Sequence, residues 1–107
     1  MTNDILEAVL PGRHRKGRFL NPPADTYAVW TEEVETDGPD GEAPRIFTHN
    51  VTVELYEQKP DNATETALEE RLGSSKLNWS KQDRYWIKSE QLYQVIYDFT
   101  YIEKRSV

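Results

Sequence analysis

The chain contains no cysteine. A disulfide framework and a thiolate zinc site are therefore excluded, and a reducing cytoplasm is the natural setting. No long apolar run is present either. The cluster from Ile5 to Leu10 near the start is too short for a signal-peptide core or a membrane span, so no membrane partner is expected. The five glycines never fall in a G-x-G-x-x-G or G-x-x-x-x-G-K pattern, which removes the common phosphate loops. Histidine is equally sparse. His14 and His49 stand far apart, and neither has a partner at metal-ligand spacing. No serine lies in a G-x-S-x-G elbow. The expectation is a chain with no catalytic, metal or cofactor site, and not an enzyme.

What the chain does have is aromatic side chains, six Tyr, three Trp and three Phe, enough to argue against disorder throughout. Its 107 residues suit one domain with a modest core. The net charge of −6 is unevenly spread. Residues 1–24 carry four Lys/Arg and two acids, a net of +2. Residues 25–75 carry three Lys/Arg and 13 acids, a net of −10. Residues 76–107 carry six Lys/Arg and four acids, again +2. An acidic middle argues against binding duplex DNA, which requires a basic face. It suits self-association, with the acidic patch of one subunit facing the basic patch of another. An unevenly charged, solvated surface is the plainer alternative.

The pattern along the chain predicts six elements. Asn3 or Asp4 can cap a short helix whose stripe is Ile5, Leu6, Val9 and Leu10, ended by Pro11-Gly12. A basic loop follows, with Arg13, Arg15, Lys16 and Arg18, then Asn21-Pro22-Pro23. Thr26 to Val34 reads as a strand, with Tyr27 and Val29 on one face and Ala28 and Trp30 on the other. ETDGPDGEAP, Glu35 to Pro44, is a turn-rich acidic loop. Loops near 12–25 and 35–45 are therefore expected to be mobile. In the strand Arg45 to Glu57, Phe47, Val51, Val53 and Leu55 alternate with polar residues, and His49 falls on the apolar face.

Asn62, with Glu65 three residues on, predicts a capped helix of about ten residues that buries Ala67, Leu68 and Leu72 and turns Glu65, Glu69 and Glu70 to water. Gly73 is its expected stop. Arg84 to Lys88 and Leu92 to Glu103 read as a strand pair around a turn. On the last strand Tyr93, Val95, Tyr97, Phe99 and Tyr101 share one face, while Leu92, Ile96 and Ile102 share the other, which marks a central strand. The fold class predicted is α+β: a single antiparallel β-sheet flanked by two helices, in the order helix, strand, strand, helix, strand, strand.

Two other features bear on function. The acidic run Asp37-Gly38-Pro39-Asp40-Gly41-Glu42 has the composition of a calcium loop but not its order, and a proline interrupts it, so a hairpin loop is the better reading. The basic run at Arg13–Arg18 and the tyrosine-rich last strand define the alternative function, a small binding domain for a nucleic acid or a small ligand. Nucleic acid is disfavoured because the four cations sit in a loop followed by Phe19 and Leu20.

The chain also carries a recognisable order of segments: an ILEAVL helix, PPADTYAVW, an acidic insert, HNVTVELYEQ, a short acidic helix, WSKQDRYWI and SEQLYQVIYDFTYIEK. From Ile5 to Lys104 this resembles the small prophage-encoded tail-completion and tail-terminator proteins that work where phage heads and tails join. The resemblance implies a protein without chemistry, assembled as a ring homo-oligomer on a tail end and docked on neighbouring tail or connector proteins, and located in the virion. No individual residue carries a role over from that family. On the charge pattern, the subunit contacts are expected to pair Arg13, Arg15, Lys16 and Arg18 with Glu32, Glu33, Glu35, Asp37 and Asp40.

Overall fold

The computed structural model describes residues 1–37 and 46–105. Most of the turn-rich acidic insert, Asp40 included, lies outside the described residues.

The chain runs α1 (Thr2–Val9), β1 (His14–Lys16), β2 (Tyr27–Asp37), β3 (Ile46–Glu57), α2 (Asn62–Ser74), β4 (Asn78–Lys81), β5 (Tyr85–Ile87) and β6 (Leu92–Lys104). The strands form one six-stranded sheet in the order β1-β2-β3-β6-β4, with β5 also pairing β6. The fold is α+β as expected, but the sheet is mixed rather than antiparallel. β1 runs parallel to β2, with His14 opposite Ala28 and Lys16 opposite Trp30, whereas every other pair is antiparallel. The order is therefore helix, strand, strand, strand, helix, strand, strand, strand, and β1 and β4 are the strands that periodicity did not show.

The parallel strand arises from local tethers. Residues 12–16, expected in a mobile loop, are held by their neighbours. His14 Nε2 lies 2.6 Å from Glu7 Oε2 on α1, and the Arg13 guanidinium donates to the Thr26 carbonyl at 2.9 Å. The last rung is Gly17 N–H to the Trp30 carbonyl at 2.8 Å. Gly17 then adopts φ +91°, which residues with a Cβ avoid, and turns the chain away. The Pro-containing loop carries it back to the beginning of β2, so both strands run the same way.

The core lies on one face, between the sheet and both helices. Ile5 and Leu6 from α1, Leu10 just after it, and Leu68 and Leu72 from α2 pack on Ala28, Trp30, Val51, Val53, Leu55, Val95, Tyr97 and Phe99. The alternation read for β3 and β6 matches this face, and β6 is central, as its two partly apolar faces required. Tyr97 is fully buried, so the tyrosine-bearing stripe is core at its middle and not an exposed stacking platform.

Helix α2 departs from expectation at both ends. Its N-cap is Asp61, not Asn62. The Asp61 carboxylate accepts from Thr64 N–H at 3.1 Å and also from the Thr26 hydroxyl at 2.7 Å, which ties the helix start to the entry of β2. At the other end the helix runs through Gly73, and the reversal falls on Lys76 at φ +58°, with Leu77 N–H donating to the Leu72 carbonyl at 3.2 Å. Asp61→Ala is expected to cost ~1–2 kcal/mol in a denaturant melt, because it removes the cap and the strand tie together. A loss under ~0.5 kcal/mol would show that the start of α2 is held by its apolar packing alone.

The acidic stretch Glu35–Asp37, expected in a loop, continues β2 to meet Ile46 at Asp37. Pairing with β3 supplies backbone partners along one side there, and this outweighs weak strand propensity. The far ends of β2, β3 and β6 thus extend beyond the helices as a three-stranded projection, within a molecule of 50 × 28 × 25 Å.

Candidate functional site

Two groups of side chains stand out from the structural background. The first lies on the helix-facing side of the projection, past the last core residue. His49 on β3 bridges the two flanking strands: Nδ1 contacts Glu32 on β2, and Nε2 lies 2.9 Å from Glu103 Oε1 on β6. The ring stacks on Tyr101 with centroids 4.4 Å apart, and the Tyr101 hydroxyl donates to Glu32 at 3.3 Å. Lys16 Nζ approaches Glu32 to 3.6 Å and lies 5.2 Å from the Trp30 ring centroid. Arg105 chelates Glu103 at 2.8 and 3.2 Å while its guanidinium covers the Phe47 ring at 3.8 Å.

Burial favours a neutral imidazole, but the hydrogen bonds to Glu32 and Glu103 outweigh it, and the His49 pKa is raised. Glu32 is correspondingly held low despite its own burial, by His49 and Lys16. Glu103 is drawn down to about 2, first by Arg105 and then by His49. His49 therefore ties three strands together, and its two carboxylate partners favour the protonated ring. Among the described residues no group of three or more His, Asp or Glu is arranged to hold a metal ion.

The second group is buried beneath α2. Glu57, fully buried at the end of β3, lies against Glu65 of α2, which is 3% exposed although the sequence pattern turned it to water. Arg84, in the link between β4 and β5, reaches both: Nη2 donates to Glu65 Oε2 at 2.6 Å and Nε to Glu57 Oε1 at 3.3 Å. Lys81 of β4 lies 2.9 Å from Glu65 Oε1 and donates to Glu69 at 2.9 Å, and the buried Tyr97 hydroxyl donates to Glu69 at 2.7 Å.

Glu57 Oε2 is buried with no hydrogen-bond partner among the described residues. Arg84 donates to both Glu57 and Glu65 and so holds the two carboxyl groups beside each other. Burial, then Glu65, pushes the Glu57 pKa up to about 7, while Glu65 is kept low by Glu57, Arg84 and Lys81 against the effect of its own burial. The pair is closed over by Arg84, and the cleft beside it, lined by Glu65, Lys81, Gln82, Asp83 and Arg84, is about 290 Å³ and open to solvent. This arrangement fastens α2 to the sheet edge. No periodicity in the sequence could have flagged it, because its cations come from two short segments remote from both acids.

The expected subunit-contact residues are divided by the structure. Arg13 is committed to the Thr26 carbonyl, and the Arg15 guanidinium lies 5.7 Å from the Phe19 ring centroid. Lys16 meets Glu32 within the same chain, so this pair is not left over for a neighbour. Arg18 is exposed in the loop after β1. Glu33, Glu35 and Asp37 are exposed on β2 and face away from the helices, Glu33 opposite Asn50 and Asp37 opposite Ile46.

No protein-family model matches the chain. No curated protein sequence matches it either. Among solved structures, the fold is similar to a chain in the virion of a native gene transfer agent particle, with a TM-score of 0.53 and 14% identity, over 89% of this chain and 81% of that one. At that identity the likeness establishes a shared fold. No helix is long and apolar enough to cross a membrane among the described residues.

Proposed function

We propose that this chain is a structural subunit of a phage-type virion, acting at the tail end or the head–tail junction as a terminator or completion protein. It works by assembling into a ring and docking on neighbouring tail and connector proteins, not by catalysis. The observation that carries this reading is the fold likeness to a chain of a virion particle over nearly the whole length of both chains. The segment order that resembles the tail-completion proteins supports it. So does a surface whose most distinctive feature is a projecting, charged end of the sheet. Titratable groups with perturbed pKa values are tied up in strand-to-strand and helix-to-sheet clamps, which suits a rigid building block.

The test is deletion of the gene from the prophage that carries it, followed by electron microscopy of induced lysates and mass spectrometry of purified wild-type particles. The expected result is a low-copy chain in wild-type particles and, in the deletion, unjoined heads and tails or tails of abnormal length. Normal, infectious particles that lack the chain would overturn the reading.

A further inference from the structure

The projection leaves two strand edges unpaired among the described residues. β1 stops opposite Trp30, so β2 from Thr31 to Asp37 has β3 on one side only. β4 stops opposite Thr100, so β6 from Tyr101 to Lys104 likewise has β3 on one side only. An open edge offers a row of backbone donors and acceptors to another strand, and a stretch as long as that of β2 is ordinarily blunted or covered. Here it carries no proline and no described segment lies over it. Each edge also presents an apolar side chain to water: Val34 is 46% exposed and Ile102 is 61% exposed.

We infer that these two edges are complementary halves of one interface, and that the sheet continues from the β6 edge of one copy of the chain to the β2 edge of the next. The inference rests on the ring-assembly reading above and names the surface that reading lacks. Charge selects the pairing. The open stretch of β2 exposes Glu33, Glu35 and Asp37 and has no Lys or Arg of its own, while Glu32 is already met by Lys16 and His49, so a two-fold β2–β2 contact sets acids against acids. The β6 edge ends in Lys104 and Arg105, with Glu103 already neutralised by Arg105 and His49. A two-fold β6–β6 contact would leave the longer β2 edge open.

The heterologous contact satisfies both edges, and its geometry is fixed by the fold. Both strands are antiparallel to β3, so β2 and β6 run in the same direction. Copies related by rotation about an axis along the strands therefore meet as a parallel pair. Through β3, Asp37 stands level with Lys104, and Glu35 with Ile102, on the face away from the helices. The same level in the next copy sets Asp37 beside Lys104 and covers Ile102. A head-to-tail contact of this kind generates a closed ring or an open filament, never an isolated two-fold dimer.

The chain has no cysteine of its own, so engineered thiols report contacts unambiguously. Glu35→Cys and Ile102→Cys place thiols on exposed strand positions outside both clamps. The double variant is treated with a short bis-thiol cross-linker, both as concentrated purified protein and in particles from the lysogen. The expected product is a ladder of multimers from the double variant, with neither single variant linking to itself. Dimers from Glu35→Cys alone, or no Glu35–Ile102 product in either preparation, would overturn the edge pairing. Particles that lack the chain would overturn the virion reading instead, while the purified protein still decides the interface.

Discussion

Arg84→Met should destabilise the fold by about 2–4 kcal/mol at pH 8, a large fraction of a small domain's stability. The guanidinium is the main cation facing the buried Glu57–Glu65 pair, with Lys81 reaching only Glu65. Losing one partner of a fully buried ion pair typically costs ~3–5 kcal/mol, because the remaining charge is left without compensation. The expected cost is set lower because Arg84 keeps 30% of its side chain in water. Methionine retains much of the aliphatic packing, which isolates the electrostatic part.

The same variant carries its own control. Near pH 5 the two carboxyl groups can hold a proton between them, so the penalty of Arg84→Met should shrink. Adding Glu57→Gln should recover much of the loss at pH 8, since an amide in place of the carboxyl donates to Glu65 without a charge. Chemical melts of the single and double variants at the two pH values measure this coupling directly. A cost below ~1 kcal/mol at pH 8, with no change at pH 5, would show that the cluster is solvated enough to dispense with Arg84.

This cluster also shows where the sequence was informative and where it was not. Residue alternation located β3 and β6, put His49 on the apolar face, and marked β6 as central. Those properties follow from a period of two along strands that are long enough to display it. The three-residue β1 and the four-residue β4 have no such length, and each exists because a longer neighbour supplies its backbone partners. The extension of β2 through Glu35 and Asp37 was hidden by acidic, turn-like composition, which pairing with β3 overrides. Glu65 fell on the polar side of a helix pattern, yet it is buried because cations on β4 and the link after it reach across to it. Contacts that depend on residues brought together by topology leave no trace in local periodicity. The same holds for Lys16 and Glu32, whose opposite charges were legible but whose meeting within one chain was not.

Stability should fall as pH rises from about 5 to about 7, and Glu57 should be the main cause. Its carboxyl titrates near the ordinary value of 4.5 in the unfolded chain and at about 7 in the fold. Between those limits the native state binds the extra proton, so unfolding becomes easier as that proton is withdrawn. The difference corresponds to on the order of 3 kcal/mol across the window. Two other clamps titrate over different ranges, Glu65 below this window and His49 from its upper end upward. Glu65 is held low, so its contribution is present above its unfolded pKa and lost only as pH falls through its folded value. His49 is raised, so its contribution is full below its unfolded pKa of 6.5 and lost as pH rises through its folded value. Glu57→Gln mimics the protonated carboxyl at every pH. Its melting temperature should therefore be flat from pH 5 to 6.5, should exceed the wild-type value by pH 7.5, and should then show only the decline that belongs to His49. His49→Gln in the wild-type background should remove that upper decline and leave the lower one in place. Melting curves of the three proteins at half-unit pH intervals separate the two titrations. A wild-type stability that is level or rising from pH 5 to 7 would mean that Glu57 is ionised in the fold and balanced by Arg84.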